Sequence, residues 1–213
     1  MTRNIGKEIH ISLMINDSEG EQLVKIAREA VELYVRRAVV TPIDAGKIFS
    51  DNMGVFVTIN HLNEQGEEHL RGCIGFPLPG KGLYQSVVEA AIGAATIDPR
   101  FSPLLESELS SIIFELSLLT PPQLIQVTHP AEYYDHIKIG RDGLILRREK
   151  GSALLLPQVA KRFGWDVDEF LLNLCYKGGT TPDAWVLPGT ELYRFQAQVY
   201  VESEPGGSVI RLQ

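Results

Sequence analysis

The sequence predicts an α+β fold with a largely antiparallel sheet. Three observations carry that expectation. Strand-like and helix-like stretches are interspersed, which argues against a doubly wound parallel sheet. Several strand pairs are separated only by tight turns, at Asn63–Gly66, Arg141–Gly143 and Glu149–Gly151, and short connections make antiparallel neighbours. The chain has 213 residues, 44% hydrophobic and 22% charged, enough to bury a core without metal or disulfide staples. No linker or low-complexity segment interrupts it. Residues 1–213 are read as a single domain, with two interlocked subdomains dividing near Pro121-Pro122 as the finer expectation.

The elements follow in order. Ser18 and Glu21 have capping-box spacing, and Leu23, Ala27, Ala30, Val31, Tyr34 and Ala38 recur at helical intervals. They predict a helix over 20–39, with Pro42 just past its end. Residues 53–62 and 67–76 read as two strands of a hairpin. Setting Leu62 opposite Glu67 pairs Ile59 with Leu70, Val57 with Gly72 and Val55 with Ile74 on one face. The other face then pairs Asn60 with His69, Thr58 with Arg71 and Phe56 with Cys73. Arg71 and Cys73 are therefore expected side by side, away from the Val55/Val57/Ile59 row. Residues 82–97 read as a helix whose small face is Leu83, Val87, Ala90, Ala91, Ala94 and Ala95. Asp98-Pro99 ends it. Residues 111–119 form an apolar strand with one charge, Glu115. Residues 130–136 read as a short helical turn, 137–156 as strand pieces, and 157–164 and 167–177 as two short helices. Residues 192–202 read as one uninterrupted strand, and the tail after Glu204 as loose.

Charge and cysteine usage narrow the function classes. The formal net charge is −7 and the pI about 5.3, which disfavours a non-specific nucleic-acid binder. Cys73 and Cys175 stand far apart, no CxxC occurs, and the histidines have no zinc-finger spacing. Met1 to His10 contain no apolar signal core, and no apolar run approaches the ~18 residues of a membrane span. The expectation is a soluble, cytoplasmic protein with reduced thiols.

The strongest chemical candidate is Leu70-Arg71-Gly72-Cys73-Ile74-Gly75. Two glycines inside a strand mark a bulge or a close approach to the backbone. A guanidinium beside a thiol lowers its pKa and favours the nucleophilic thiolate. One reading is a reactive Cys73 with Arg71 as anion clamp, Gly72 and Gly75 lying against substrate. The other is a small buried cysteine beside a structural arginine. The string LRGCIG resembles the signature of the AMMECR-one domain family. The DPRF at 98–101, SLLTPP at 117–122, GRDGL at 140–144, LLPQVA at 155–160 and the Cys175-Tyr176-Lys177-Gly178-Gly179 stretch followed by Trp185 resemble the same family in the same order. The resemblance runs from about residue 20 to about 200. It implies an α+β protein with a barrel-like antiparallel sheet, flanking helices and two interlocked strand-and-helix repeats. It also implies Memo-like and radical-SAM proteins as partners in a modification pathway.

The remaining family-matched residues each carry two readings. Asp98 and Arg100 either orient substrate or Arg71, or form a loop ion pair. Glu115 must find a partner or a raised pKa; it is either a general acid/base or the ion-pair partner of Arg71 or Arg100. Gln158 either meets a ligand or caps a helix. Lys177 either binds an anion or complements a helix dipole. With no phosphate loop, metal constellation or nucleotide fingerprint, no cofactor can be named. The sequence leaves three functions open. One is an enzyme, or a component of one, using Cys73, Arg71 and Glu115. A second is a non-catalytic module binding a nucleotide, RNA or a modified residue. The third is a protein–protein adaptor.

Overall fold

The structure, a computed structural model, describes residues 15–40, 53–80 and 82–212. Met14, Pro42 and the rest of the chain lie outside these. Helix α1 (Asp17–Arg37) starts two residues earlier than the Ser18/Glu21 spacing implies. Asn16 is the cap: its side chain accepts the Glu19 N–H at 3.0 Å, and the Glu19 carboxylate accepts the Asn16 N–H at 2.9 Å. Asparagine caps as well as serine does, and Asp17 and Glu19 then favour the helix dipole. Leu23, Val24, Ala27, Ala30 and Val31 form the buried face. The helix ends where Ala38 turns left-handed, at φ 53°.

Strands β1 (Gly54–Leu62) and β2 (Glu68–Phe76) make the expected hairpin in a different register. Val57 faces Ile74, Ile59 faces Gly72 and Thr58 faces Cys73. The turn is one residue wider, because the Asn63 side chain accepts the N–H groups of both Gln65 and Glu67. A bulge between Ile59 and Asn60 then leaves Arg71 as the unpaired residue. Together these shift the inner half of the ladder by two residues. An even shift keeps every side chain on its face, so Val55, Val57 and Ile59 are buried as expected.

Helix α2 (Leu83–Thr96) lies on β1 and β2, and α1 lies on α2. Strand β3 (Ile112–Leu119) pairs with β1, and its Ile112, Phe114, Leu116 and Leu118 complete this first core. The second part of the chain comprises β4 (Gln123–Leu124), α3 (Tyr133–His136), β5 (Gly143–Arg147), β6 (Ser152–Leu155), α4 (Pro157–Phe163) and α5 (Val167–Lys177). Its core gathers Leu144, Leu146, Leu155, Phe170, Leu171 and Leu174, with Cys175 fully buried among them.

The stretch read as one strand is two. Strand β7 (Glu191–Phe195) belongs to the second sheet, and β8 (Ala197–Glu202) to the first. Gln196 is the crossover, held by Thr120: the Thr120 N–H donates to the Gln196 carbonyl and the Gln196 N–H to the Thr120 hydroxyl. Alternation cannot detect such a switch, since both halves are strands with apolar faces. The tail is not loose. Residues 203–208 turn back and β9 (Val209–Leu212) pairs with β8.

The strand orders are β2-β1-β3-β8-β9 and β4-β7-β5-β6, antiparallel throughout. Neither closes on itself, so the sheets are open and the expected barrel-like closure is absent. A buried ion pair locks the returning strand. Arg28 of α1 donates from Nε and Nη2 to both oxygens of Glu202, each at 2.6 Å. Glu202 also accepts the Phe114 N–H, and Arg28 donates to the Ile112 carbonyl. The charges of this pair are thus hydrogen-bonded on both sides where α1 meets β3 and β8.

Candidate functional site

The glycines of Leu70–Gly75 make room for protein. A Cβ on Gly72 would stand 2.0 Å from the Ala94 carbonyl oxygen, so helix α2 occupies the space beside it. A Cβ on Gly75 would stand 2.4 Å from the Phe56 ring. The expected close approach to both glycines exists, but helix and ring make it in place of substrate.

Arg71 does not sit beside the thiol. As the bulged residue it turns to Glu108, donating from Nε at 2.7 Å and from Nη2 at 3.1 Å. Its guanidinium also lies 5.9 Å from the Phe101 ring centre. Glu108 stands in a 3₁₀ turn, Glu106–Ser111, and the Arg71 hydrogen bonds hold its carboxyl below the usual carboxylate range. Nothing in the sequence signalled Glu108; it lies 37 residues from Arg71.

The cation that acts on Cys73 is Arg100. Strand β2 is an edge, so the outward N–H of Cys73 needs a partner. The Asp98 carboxylate accepts it at 2.8 Å. The same carboxylate accepts Arg100 Nε at 2.9 Å and Nη2 at 2.7 Å, plus the Arg100 amide at 3.1 Å. Asp98 is 4% exposed. The Arg100 hydrogen bonds hold its carboxyl well below the ordinary range, against the opposing effect of burial. The Asp98-Pro99-Arg100 loop therefore pins the end of α2 to β2 and orients a half-exposed guanidinium.

The thiol itself is half-buried. Burial pushes its pKa up. The Thr58 hydroxyl, donating to Sγ at 3.4 Å, and the charge of Arg100 pull the other way; Glu115 and Asp98 add to the rise. The low thiol pKa expected from Arg71 is accordingly not found. Thr58 faces Cys73 across β2 and Glu115 across β3, so the three form a row on the face opposite the α-helical core. Glu115 pairs with neither Arg71 nor Arg100, and its side chain makes no hydrogen bond among the described residues. Burial raises its pKa, the Glu68 charge adds to that, and Arg162 opposes it.

Lys177, the last residue of α5, donates from Nζ to the Leu154 carbonyl at 2.8 Å. Burial lowers its pKa; the Cys73 charge raises it and Arg100 lowers it further. Lys177 is thus within electrostatic reach of both. Gln158 stands second in α4, half-buried, and does not cap it. No charge coupling or hydrogen bond joins it to Cys73. The row Cys73, Thr58 and Glu115, rimmed by Arg100 on its Asp98 support and by Lys177, is the cluster the fold assembles. Reading the hairpin with its bulge is what finds Thr58. Among the described residues no group of three His, Cys, Asp or Glu could hold a metal ion, and no helix is long and apolar enough to cross a membrane.

The AMMECR1 family model matches residues 24–200. The chain belongs to the AMMECR1 family. Protein MJ0810 of Methanocaldococcus jannaschii is 46% identical over 192 residues, 90% of this chain and 94% of that protein. A protein of Thermococcus onnurineus is 48% identical over 199 residues, 92% of this chain and 97% of its own length. The crystal structure of the uncharacterized protein PH0010 from Pyrococcus horikoshii superposes with a TM-score of 0.84 at 43% identity, covering 93% of this chain and 98% of that one. The matched span contains the β2 edge and its Asp98 support.

Proposed function

We propose that this AMMECR1-family protein is the substrate-holding component of a modification pathway, working with a Memo-like and a radical-SAM protein in the cytoplasm. The substrate rests on the Cys73/Thr58/Glu115 row, and Arg100 and Lys177 neutralise its charge. The observation supporting this is the double use of Asp98: one carboxylate anchors the Cys73 amide and holds a half-exposed guanidinium within electrostatic reach of the thiol. A thiol raised by burial stays protonated at neutral pH, which suits contact with a substrate better than attack on it. Both cysteines are unpaired, as the reducing cytoplasm requires.

The enzyme reading keeps one argument of its own. A carboxyl with a raised pKa in the same cross-strand row as a thiol is a general-base candidate. In that reading Glu115 takes the Cys73 proton as substrate binds.

Reconstitution with the Memo-like and radical-SAM proteins of the same genome, product followed by mass spectrometry, separates the two. The substrate-holding reading expects Cys73→Ser to keep product formation and Arg100→Gln to abolish it. Loss in both variants favours thiol chemistry. Retention in both leaves an adaptor. No product and no complex with the wild-type chain would end the pathway reading. Alkylation of Cys73 against pH adds a partner-free check: a midpoint above ~8.5 agrees with a substrate-holding role, and one well below it with a nucleophile.

A further inference from the structure

A second arginine is mounted as Arg100 is, and it borders a cleft of its own. Asp142, its side chain 1% exposed, accepts the Lys138 N–H at 2.9 Å and Arg141 Nε and Nη2 at 2.9 and 2.8 Å. The Arg141 side chain is 48% exposed. Beside it opens a cleft of about 540 Å³ lined by Ile139, Gly140, Arg141, Lys161, Gln196 and Ala197. The turn before β5, helix α4 and the crossover between the two sheets thus meet there. Sites for small molecules favour such seams, and volumes of this order hold ligands well beyond a bare ion.

The charge of the lining is unlike that of the whole molecule. It carries two cations and no carboxylate, in a chain of net charge −7. The Lys161 ammonium makes no ion pair or hydrogen bond with another described residue. Its stem passes Gly140, where an added Cβ would lie 3.7 Å from Lys161 Cδ. The Gln196 side-chain amide, beside the crossover, likewise has no partner among the described residues. A guanidinium held in place by a buried carboxylate supplies directional donors, a lysine supplies a mobile point charge, and an amide supplies one further donor. Ile139 and Ala197 offer apolar contact to an uncharged remainder.

We infer that this cleft binds a small phosphomonoester, with the phosphate between Arg141 and Lys161 and the organic part against Ile139, Ala197 and Gln196. The dianion of a phosphomonoester matches two cations, and the volume calls for more than free phosphate. The inference is independent of the role given to Cys73.

Titration of the full-length protein with ribose 5-phosphate and with inorganic phosphate, followed by amide NMR and calorimetry against sodium chloride of equal ionic strength, tests it. The expected result is a saturable shift at Gly140, Lys161 and Gln196, with ribose 5-phosphate tighter than inorganic phosphate. Lys161→Met, an exposed change that leaves the fold intact, should weaken binding at least tenfold, and Gln196→Ala should weaken ribose 5-phosphate more than phosphate. Arg100→Gln should leave the affinity unchanged. Shifts matched by chloride, or an unchanged affinity in Lys161→Met, would overturn the inference. So would a preference for citrate over both phosphates.

Discussion

The Asp98–Arg100 and Asp142–Arg141 clamps use one design at two ranges. In each, a buried carboxylate accepts a backbone amide from another segment or turn and the Nε and Nη2 of an arginine, and each arginine stays about half-exposed, 53% and 48%. The amides differ. Asp142 reaches back four residues to Lys138 and closes its own turn. Asp98 reaches 25 residues to Cys73 and joins a helix end to a sheet edge. The first is local structure made rigid. The second is tertiary structure whose loss unseats the candidate site. Burial of a carboxylate therefore does not by itself say how far its stabilising effect extends; the separation of its partners does.

The largest effect should come from the contact beneath the long-range clamp. Gly72→Ala forces a Cβ into the Ala94 carbonyl, lifting α2 from β2 and parting Asp98 from Cys73. Urea denaturation should show a loss of about 3 kcal/mol, as overpacking against backbone does. A loss under 1 kcal/mol would mean that α2 slides freely and the clamp is not tertiary. Next, Asp98→Asn should lose about 2–3 kcal/mol, because a buried charged acceptor of several hydrogen bonds is weakened. Asp142→Asn should lose less, about 1–2 kcal/mol, since only its own turn relaxes. Equal losses would erase the distinction between the two.

The difference has a pH signature. Arg100 holds the Asp98 carboxyl well below its ordinary range. A depressed carboxyl stabilises fully above its unfolded value of about 3.9, and the gain disappears as pH falls through the folded value. The stability gap between wild type and Asp98→Asn should hold from pH 7 to 5 and shrink below ~4. Glu115 offers the opposite sign. Its raised carboxyl binds protons more readily folded than unfolded, so its penalty is absent below the unfolded value of about 4.3 and grows as pH rises through the folded one. Glu115→Gln should stabilise by about 0.5–1 kcal/mol at pH 7 and by nothing at pH 4. The smallest effect separates the arginines directly. Arg100→Gln should raise the pH midpoint of Cys73 alkylation slightly, since the Arg100 charge opposes the rise; Arg141→Gln should leave it unmoved.

Much of the fold was legible from local patterning. Leu23, Ala27 and Val31 recur at the helical period and are buried; Val55, Val57 and Ile59 recur at the strand period and are buried. The Asn16 cap was missed because two boxes of equal spacing overlap at 16–21, and spacing alone does not choose between them. The bulge at Arg71 was missed because a ladder drawn across a turn assumes no insertion. Gly72 nevertheless marked the irregularity. The switch at Gln196 was invisible because period-two alternation continues through a change of sheet. At the candidate site Cys73, Asp98, Arg100, Glu115 and Lys177 were named, and the Asp98–Arg100 ion pair was one of the two readings offered; Glu108 as the partner of Arg71 and Arg100 as the cation near Cys73 were not.

The order of helices and strands, the antiparallel habit and the residues worth watching follow from the amino acids alone, since periodicity and turn chemistry act over a few neighbours. That Arg71 stands by Glu108, that Asp98 holds the Cys73 amide, and whether a thiol is ionised were decided only by tertiary packing. Those properties depend on distances between residues tens of positions apart and on how much water the fold excludes, and no local pattern encodes either.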